Sequence, residues 1–300
     1  MFERLTCLCG AFILSIGVSG MCFADNTSVA SEHLDQASVL ELPNDETMIR
    51  LGSGSQARLT LSENTALAIQ RSEGRLLLEL KQLGEQDAIL INQEAATASD
   101  RSIEVRLVDA NFDGLRDLLV ETGIGYGGVN VFFKLLLGTA TGFETSWAQS
   151  DLSNPEIDPA LKQIRTSMRS GPSWHLEVYE VADTRPYLHM TTTAAGDGVE
   201  YVRFLKQDGS LDREMITDAL ADDPNDWKPI SLKLPKEALF PLRSEPDSAS
   251  ATKAALPESS TVLLRRLSVD KHFILVEHAK SGMDGWIKTE WLPMPEGLQF

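Results

Sequence analysis

The sequence predicts a mainly β protein: an antiparallel β domain, sandwich or small propeller-like, followed by a small barrel. Three observations carry this. Apolar runs of four to nine residues recur at close intervals and are separated by Gly-Ser-Gly, Ser-Glu-Asn, Ser-Glu-Gly and Gly-Glu-Gln, all turn-forming. Gln207-Asp208-Gly209-Ser210 stands between two alternating runs, a strong hairpin signal. A Pro- and Asp-rich stretch at 221–236 then changes the composition before a last set of short apolar runs.

The chain has 300 residues, enough for two domains, and is 42% hydrophobic and 24% charged, so it can bury cores of its own. The first 24 residues read as a secretory signal. Arg4 gives a positive start, Leu5 to Cys22 is apolar, and Cys22-Phe23-Ala24 puts small residues where cleavage needs them. Cleavage after Ala24 and export to the periplasm are expected, with no stable membrane insertion afterwards. An uncleaved anchor is disfavoured by the glycines, and a lipid-carrying Cys22 by the bulky Met21 before it. Cys7, Cys9 and Cys22 all lie in this leader. The mature chain is therefore expected to lack disulfides and thiol chemistry.

Residues 25–46 are polar and aperiodic and are expected to form an exposed lead-in. Strands are expected at Met48–Leu51, Ala57–Leu61, Ala66–Gln70, Arg75–Leu80, Asp87–Asn92 and Ile103–Val108, a meander opening a domain that runs from 47 to 220. After the loop described below come Val129–Leu137 and Phe143–Trp147. Asp151–Arg165, with Pro155 and Pro159, reads as a long connection. Strands resume at Trp174–Val181, Tyr187–Thr193, Val199–Lys206 and Leu211–Ile216. Beyond the expected linker, 221–236, short strands at Ala238–Leu242, Thr261–Leu267, Phe273–Glu277 and Gly285–Trp291 fill residues 237–300 and suit a compact barrel, with Trp286 and Trp291 in its core.

Between the strands at 103–108 and 118–120 lies Asp109-Ala110-Asn111-Phe112-Asp113-Gly114-Leu115-Arg116-Asp117. Oxygen-bearing side chains at loop positions 1, 3, 5 and 9, with Gly at 6, form the ligand ladder of an EF-hand-type calcium loop. Alternate residues of a tight loop point inward, and the glycine takes the backbone angle that a side chain forbids. Asp109, Asn111, Asp113, Leu115 (through its carbonyl) and Asp117 are the expected ligands, with Glu121 or water completing the shell, because Val120 occupies position 12. The flanking β-branched runs favour strand-loop-strand and hence a structural clamp over a sensor. A metal-free Asp/Asn/Gly turn is the competing reading.

Gly123-Ile124-Gly125-Tyr126-Gly127-Gly128 lacks the following helix of a dinucleotide site and reads better as a loop displaying Tyr126, with Gly125, Gly127 and Gly128 as its partner-binding neighbours. An ordinary hairpin turn with an incidental tyrosine is the alternative. His33, His175, His189, His272 and His278 are scattered without metal spacing, and no Gly-x-Ser-x-Gly frame is present. Little is left for an enzyme. A net charge of -17 disfavours nucleic acid and anionic membranes and favours a basic partner, or simply solubility.

The run from Val105 through Asp117-Leu118, the Gly-Tyr-Gly-Gly-Val-Asn that follows, and Leu152-Ser-Asn-Pro-Glu-Ile-Asp158 to Gly171 resemble a family of periplasmic calcium-binding immunity proteins. That family inhibits lysozyme-like effectors delivered by type IV secretion systems. The resemblance implies a calcium-binding β domain whose loop beside the metal, here Tyr126 with its glycines, plugs the cleft of a lysozyme-like peptidoglycan hydrolase. The tail Ala238 to Pro246, then Val262 to Leu267 and Gly285 to Leu292, is similar to bacterial SH3-like domains. That implies a small SH3-like barrel, with peptidoglycan as its ligand in an alternative reading of the chain as a cell-envelope binding module.

Overall fold

The structure, a computed structural model, describes residues 32–34, 38–40 and 47–294, except 63–64, 73–74, 83–87, 95–100, 145–150, 197, 219–222 and 237–238. The expected leader, 1–24, and the end of the expected strand Phe143–Trp147 lie outside the described residues. Among those residues no helix is long and apolar enough to cross a membrane. The protein is mainly β, with antiparallel sheets as expected.

The expected lead-in contributes two short strands, β1 (Glu32–Leu34) and β2 (Ser38–Leu40). Next come β3 (Thr47–Leu51), β4 (Gln56–Ser62), β5 (Thr65–Ser72), β6 (Arg75–Gln82), β7 (Ala88–Glu94) and β8 (Ile103–Val108). They are followed by β9 (Asp117–Gly125), β10 (Asn130–Thr139), β11 (Gly142–Glu144) and β12 (Leu152–Ser153). One sheet runs β1-β3-β8-β9-β10-β11, with β12 also on β10, and a second runs β2-β4-β5-β6-β7. All pairs are antiparallel except β1 with β3 and β2 with β4, which are parallel. These two sheets form a sandwich. Leu59, Leu67, Leu76 and Leu78 of one meet Leu51, Leu107, Leu118 and Val120 of the other in a single core.

Strand β9 explains how the next layer is attached. Its opening Leu118-Leu119-Val120 does not alternate because both of its faces are covered. Leu118 and Val120 enter the sandwich core, whereas Leu119 joins Phe133, Leu135 and Leu137 in a second core with Ile164 and Tyr179. The last two belong to a meander of β13 (Glu156–Asp158), β14 (Gln163–Ser170), β15 (Ser173–Ala182), β16 (Arg185–Gly196), β17 (Val199–Leu205) and β18 (Leu211–Thr217), paired in chain order. The segment Asp151–Arg165, expected as a connection, instead holds β12, β13 and the start of β14. Its prolines sit at the edges of short strands, where a missing N–H costs no ladder bond. Truncating Leu118 or Leu119 to Ala would cost about 2–5 kcal/mol by cavity formation.

The expected linker is also built into the fold. Trp227, only 4% exposed, packs with Val178, Met190, Val202 and Phe204 on the outer face of the meander. Asp223 caps a short turn at Pro224–Asp226 by accepting from Asn225 N, and Ile230 N donates to Ile216 O at 2.7 Å. The chain then forms β19 (Ser231–Lys233), β20 (Phe240–Arg243), β21 (Thr252–Leu256), β22 (Thr261–Leu267), β23 (Phe273–His278) and β24 (Asp284–Lys288), in the order β19-β22-β23-β24-β20-β21. The sheet is open, not a closed barrel, among the described residues. Its core of Leu242, Val262, Leu264, Ile274, Val276 and Ile287 continues into Val199 and Ile216 of the meander. Trp286 is buried and Trp291 packs edge-on against Phe240. Gly285 is required where β24 crosses β20, because a Cβ there would stand 2.7 Å from Leu242 Cβ.

Candidate functional site

The loop between β8 and β9 is curled by its own side chains. Asp109 accepts from Asp113 N at 3.0 Å and from Gly114 N at 2.9 Å. Asn111 Oδ1 accepts from Asp113 N at 3.3 Å, and Asp113 Oδ1 from Leu115 N at 2.8 Å. Phe112 and Gly114 take φ of 58° and 86°, the left-handed bends that such a curl needs. The Asn111 amide also donates to Asp113 Oδ2 and to Thr184 O, each at 2.9 Å. The second bond ties the loop to the turn between β15 and β16.

Asp117 does a different job from its neighbours. Its carboxylate is fully buried. Oδ2 accepts from Ala110 N at 2.7 Å and Asn111 N at 3.1 Å, and Oδ1 accepts from Gly138 N on β10 at 2.6 Å. Burial pushes its pKa up to about 6, against the lowering effect of these amides, with Asp113 adding a smaller upward push. The close approach has a sequence cause. A Cβ on residue 138 would lie 2.2 Å from Arg116 O, so only glycine lets the loop's exit rest on β10. Asp117, expected as a ligand, has both of its oxygens on main-chain donors and so latches the loop's neck to β10.

Glu121 is not brought to the loop. It lies four residues beyond Asp117 on the same strand, roughly 13 Å away at the usual rise. There, 2% exposed, it pairs with Arg101 at 3.0 Å and accepts from Glu104 N at 3.1 Å. Burial raises its pKa, with Arg101 opposing. Among the described residues no group of three or more His, Cys, Asp and Glu side chains is gathered for an ion. The donors that could hold one are therefore mixed: the carboxylates of Asp109 and Asp113, the amide oxygen of Asn111 and the main-chain oxygen of Leu115. All are hard oxygens, which suits Ca²⁺ with water completing the shell.

The second feature is the turn from β9 into β10. Tyr126, Gly127 and Gly128 have φ of 50°, 67° and 96°, three left-handed residues in a row, which explains the two glycines. At residue 125 a Cβ would stand 3.0 Å from the edge of the Phe132 ring, a tight contact that would need the ring to give by a few tenths of an ångström. Tyr126 does not wave free. Its hydroxyl donates to Gly171 O at 2.6 Å, and the Arg169 guanidinium lies 5.5 Å from its ring centroid and 6.0 Å from that of Trp174. Behind it, Asn130 pairs by its side-chain amide with both main-chain groups of Arg169, at 2.8 and 3.0 Å. Tyr126 and Trp174 remain 48% and 47% exposed. The result is a rigid aromatic-arginine platform on the surface.

Metal loop and tyrosine turn were expected side by side. They sit instead at opposite ends of the nine-residue β9, roughly 26 Å apart at the strand rise. Each touches the meander: Asn111 at the β15–β16 turn, Tyr126 at the β14–β15 turn. Arg169 and Trp174 escaped sequence reasoning because they lie more than forty residues from Tyr126, beyond any spacing rule. No family model matches the chain, and comparison with curated proteins and with solved structures finds no similar chain.

Proposed function

We propose that this chain is an exported, calcium-braced binding protein that obstructs a lysozyme-like peptidoglycan hydrolase, using the Tyr126–Arg169–Trp174 platform as its contact surface. The observation that carries this reading is the Tyr126 hydroxyl bound to Gly171 O, with half of the ring still exposed beside Trp174. Such a surface loses little conformational entropy on docking, and aromatic and arginine side chains supply most of the energy at protein interfaces. The net charge of -17 suits the basic surface common among enzymes that cut anionic walls, and speeds the encounter. No catalysis is assigned to the chain. The C-terminal sheet is read as an SH3-like unit, fused rigidly to the meander through Val199 and Ile216.

Calcium has a bracing role at the far end of β9. There the loop of Asp109, Asn111 and Asp113 is anchored to Thr184, so an ion that stiffens it also fixes the meander against the sandwich. The platform lies across the same seam. The test is the rate of muropeptide release by exported muramidases of the source organism, measured with calcium and increasing amounts of residues 25–300. Inhibition that saturates at one chain per enzyme, and is lost with Trp174→Ala, supports the reading; unchanged rates across those enzymes refute it.

A further inference from the structure

The apolar filling between sandwich and meander stops part-way along the β14–β15 hairpin. On its inner face Ile164 and Tyr179 are buried in the shared core. Further along the same face the register sets Thr166 opposite Glu177 and Met168 opposite His175. Here a cleft of about 460 Å³ opens, with Phe132 and Asp151 among its walls. Thr166 is buried, whereas Asp151 and Met168 are exposed, so the cleft deepens from Met168 towards the core.

We propose that this cleft receives a lysine or arginine side chain of a protein partner. The proposal rests on the inhibitor reading and deepens it by naming the chemistry gripped on the hydrolase. Two carboxylates and no lysine or arginine line the cleft. Glu177 Oε2 accepts from the Tyr179 hydroxyl at 2.8 Å and the Thr166 hydroxyl at 3.4 Å, which orients the carboxylate and leaves Oε1 to accept from a ligand N–H. Asp151 is oriented in the same way by the Thr122 hydroxyl at 2.7 Å. The Phe132 ring and the Met168 thioether offer apolar walls for a methylene stem and a π-face for its cationic head. A macromolecular source of that head group is favoured over a free amine because the cleft's exposed rim at Met168 lies three residues from Gly171, the hairpin tip that the Tyr126 hydroxyl grips. Strand alternation puts Arg169 and Trp174 on the opposite face of the hairpin, so a partner meets both platform and cleft by wrapping the tip.

The test is a two-dimensional NMR titration of residues 25–300 with three probes: Nα-acetyl-lysine methylamide, Nα-acetyl-arginine methylamide and the neutral Nα-acetyl-norleucine methylamide. Saturable shifts at Thr166, Met168, His175 and Glu177 are expected for the two cations, with the norleucine probe at least tenfold weaker. Glu177→Gln should weaken cation binding at least fivefold. Because Glu177 also holds Tyr179, the exposed Asp151→Asn serves as a second variant, expected to weaken binding severalfold with the core spectrum unchanged. Equal binding of charged and neutral probes, or cation binding indifferent to both variants, overturns the proposal. So does a wall muropeptide with a free side-chain amine that binds tenfold tighter than the lysine probe. The probes contain no hydrolase, so the two readings fail separately. Cation binding without enzyme inhibition keeps the cleft and removes the inhibitor; inhibition without any probe binding removes the cleft alone.

Discussion

The hydroxyl of Tyr126 donates a 2.6 Å hydrogen bond to the main-chain oxygen of Gly171, 45 residues along the chain, and so joins the turn of one sheet to the hairpin tip of the next. Tyr126→Phe removes that bond and keeps the ring. A loss of about 1 kcal/mol in stability is expected. The ring also gains freedom, and inhibition should weaken more than stability does. Denaturant unfolding alongside muropeptide-release assays measures both.

At the other end of β9 the Asp117 carboxylate gathers three main-chain amides. Asp117→Ala leaves them buried without an acceptor and is expected to cost about 3 kcal/mol or more. A change below about 1 kcal/mol in urea unfolding would mean that the loop neck is not latched this way.

The pH dependence of that residue has a definite sign. Its folded pKa, about 6, lies above the ordinary carboxylate value, so the folded state binds the extra proton between roughly pH 4 and 6. In chelator, the contribution of Asp117 is therefore fully present at low pH and is lost as pH rises through 6. By linkage the loss is on the order of 2–3 kcal/mol relative to Asp117→Asn. Unfolding of both proteins from pH 4 to 7 reads the difference directly, and a gap that widens the opposite way rejects the assignment.

Calcium should raise the melting temperature of residues 25–300, and EDTA should reverse the shift. Asp109→Ala and Asp113→Ala are expected to abolish the response. Glu121→Gln should keep it, because that side chain is engaged with Arg101 on the strand. A calcium response lost in the Glu121 variant, at equal folding, would place the ion elsewhere.

Gly138→Ala tests the close approach of loop and strand. With its Cβ 2.2 Å from Arg116 O, something must shift, and a loss of about 2–4 kcal/mol is expected from overpacking. The same change at Gly127, where a Cβ meets open space, costs only the strain of a left-handed alanine, about 1 kcal/mol.

Much of the strand map was legible because each short apolar run sits between residues that turn, and the hairpin at Lys206–Ser210 closes as Asp208-Gly209 foretells, with Gly209 at φ 79°. What could not be read depends on partners distant in sequence. Trp227 stands in a Pro/Asp-rich stretch that looks like a linker until the meander supplies its pocket. The oxygen ladder at Asp109, Asn111 and Asp113 is local and therefore visible. Whether position 9 faces the loop or the strand beside it is decided by Gly138, twenty-one residues on. Glu121 stands apart from the loop because strand geometry, unlike a helical turn, carries residues four apart to sites roughly 13 Å from one another.

The most direct measurement is inhibition of an exported lysozyme-like enzyme at saturating calcium by residues 25–300 and by Trp174→Ala, both checked for equal melting temperature. One-to-one inhibition by the natural sequence, at least tenfold weaker in the variant, is the expected result. Equal potency of the two proteins, or no inhibition by either, would contradict the central claim that the rigid face around Tyr126 is what the partner meets.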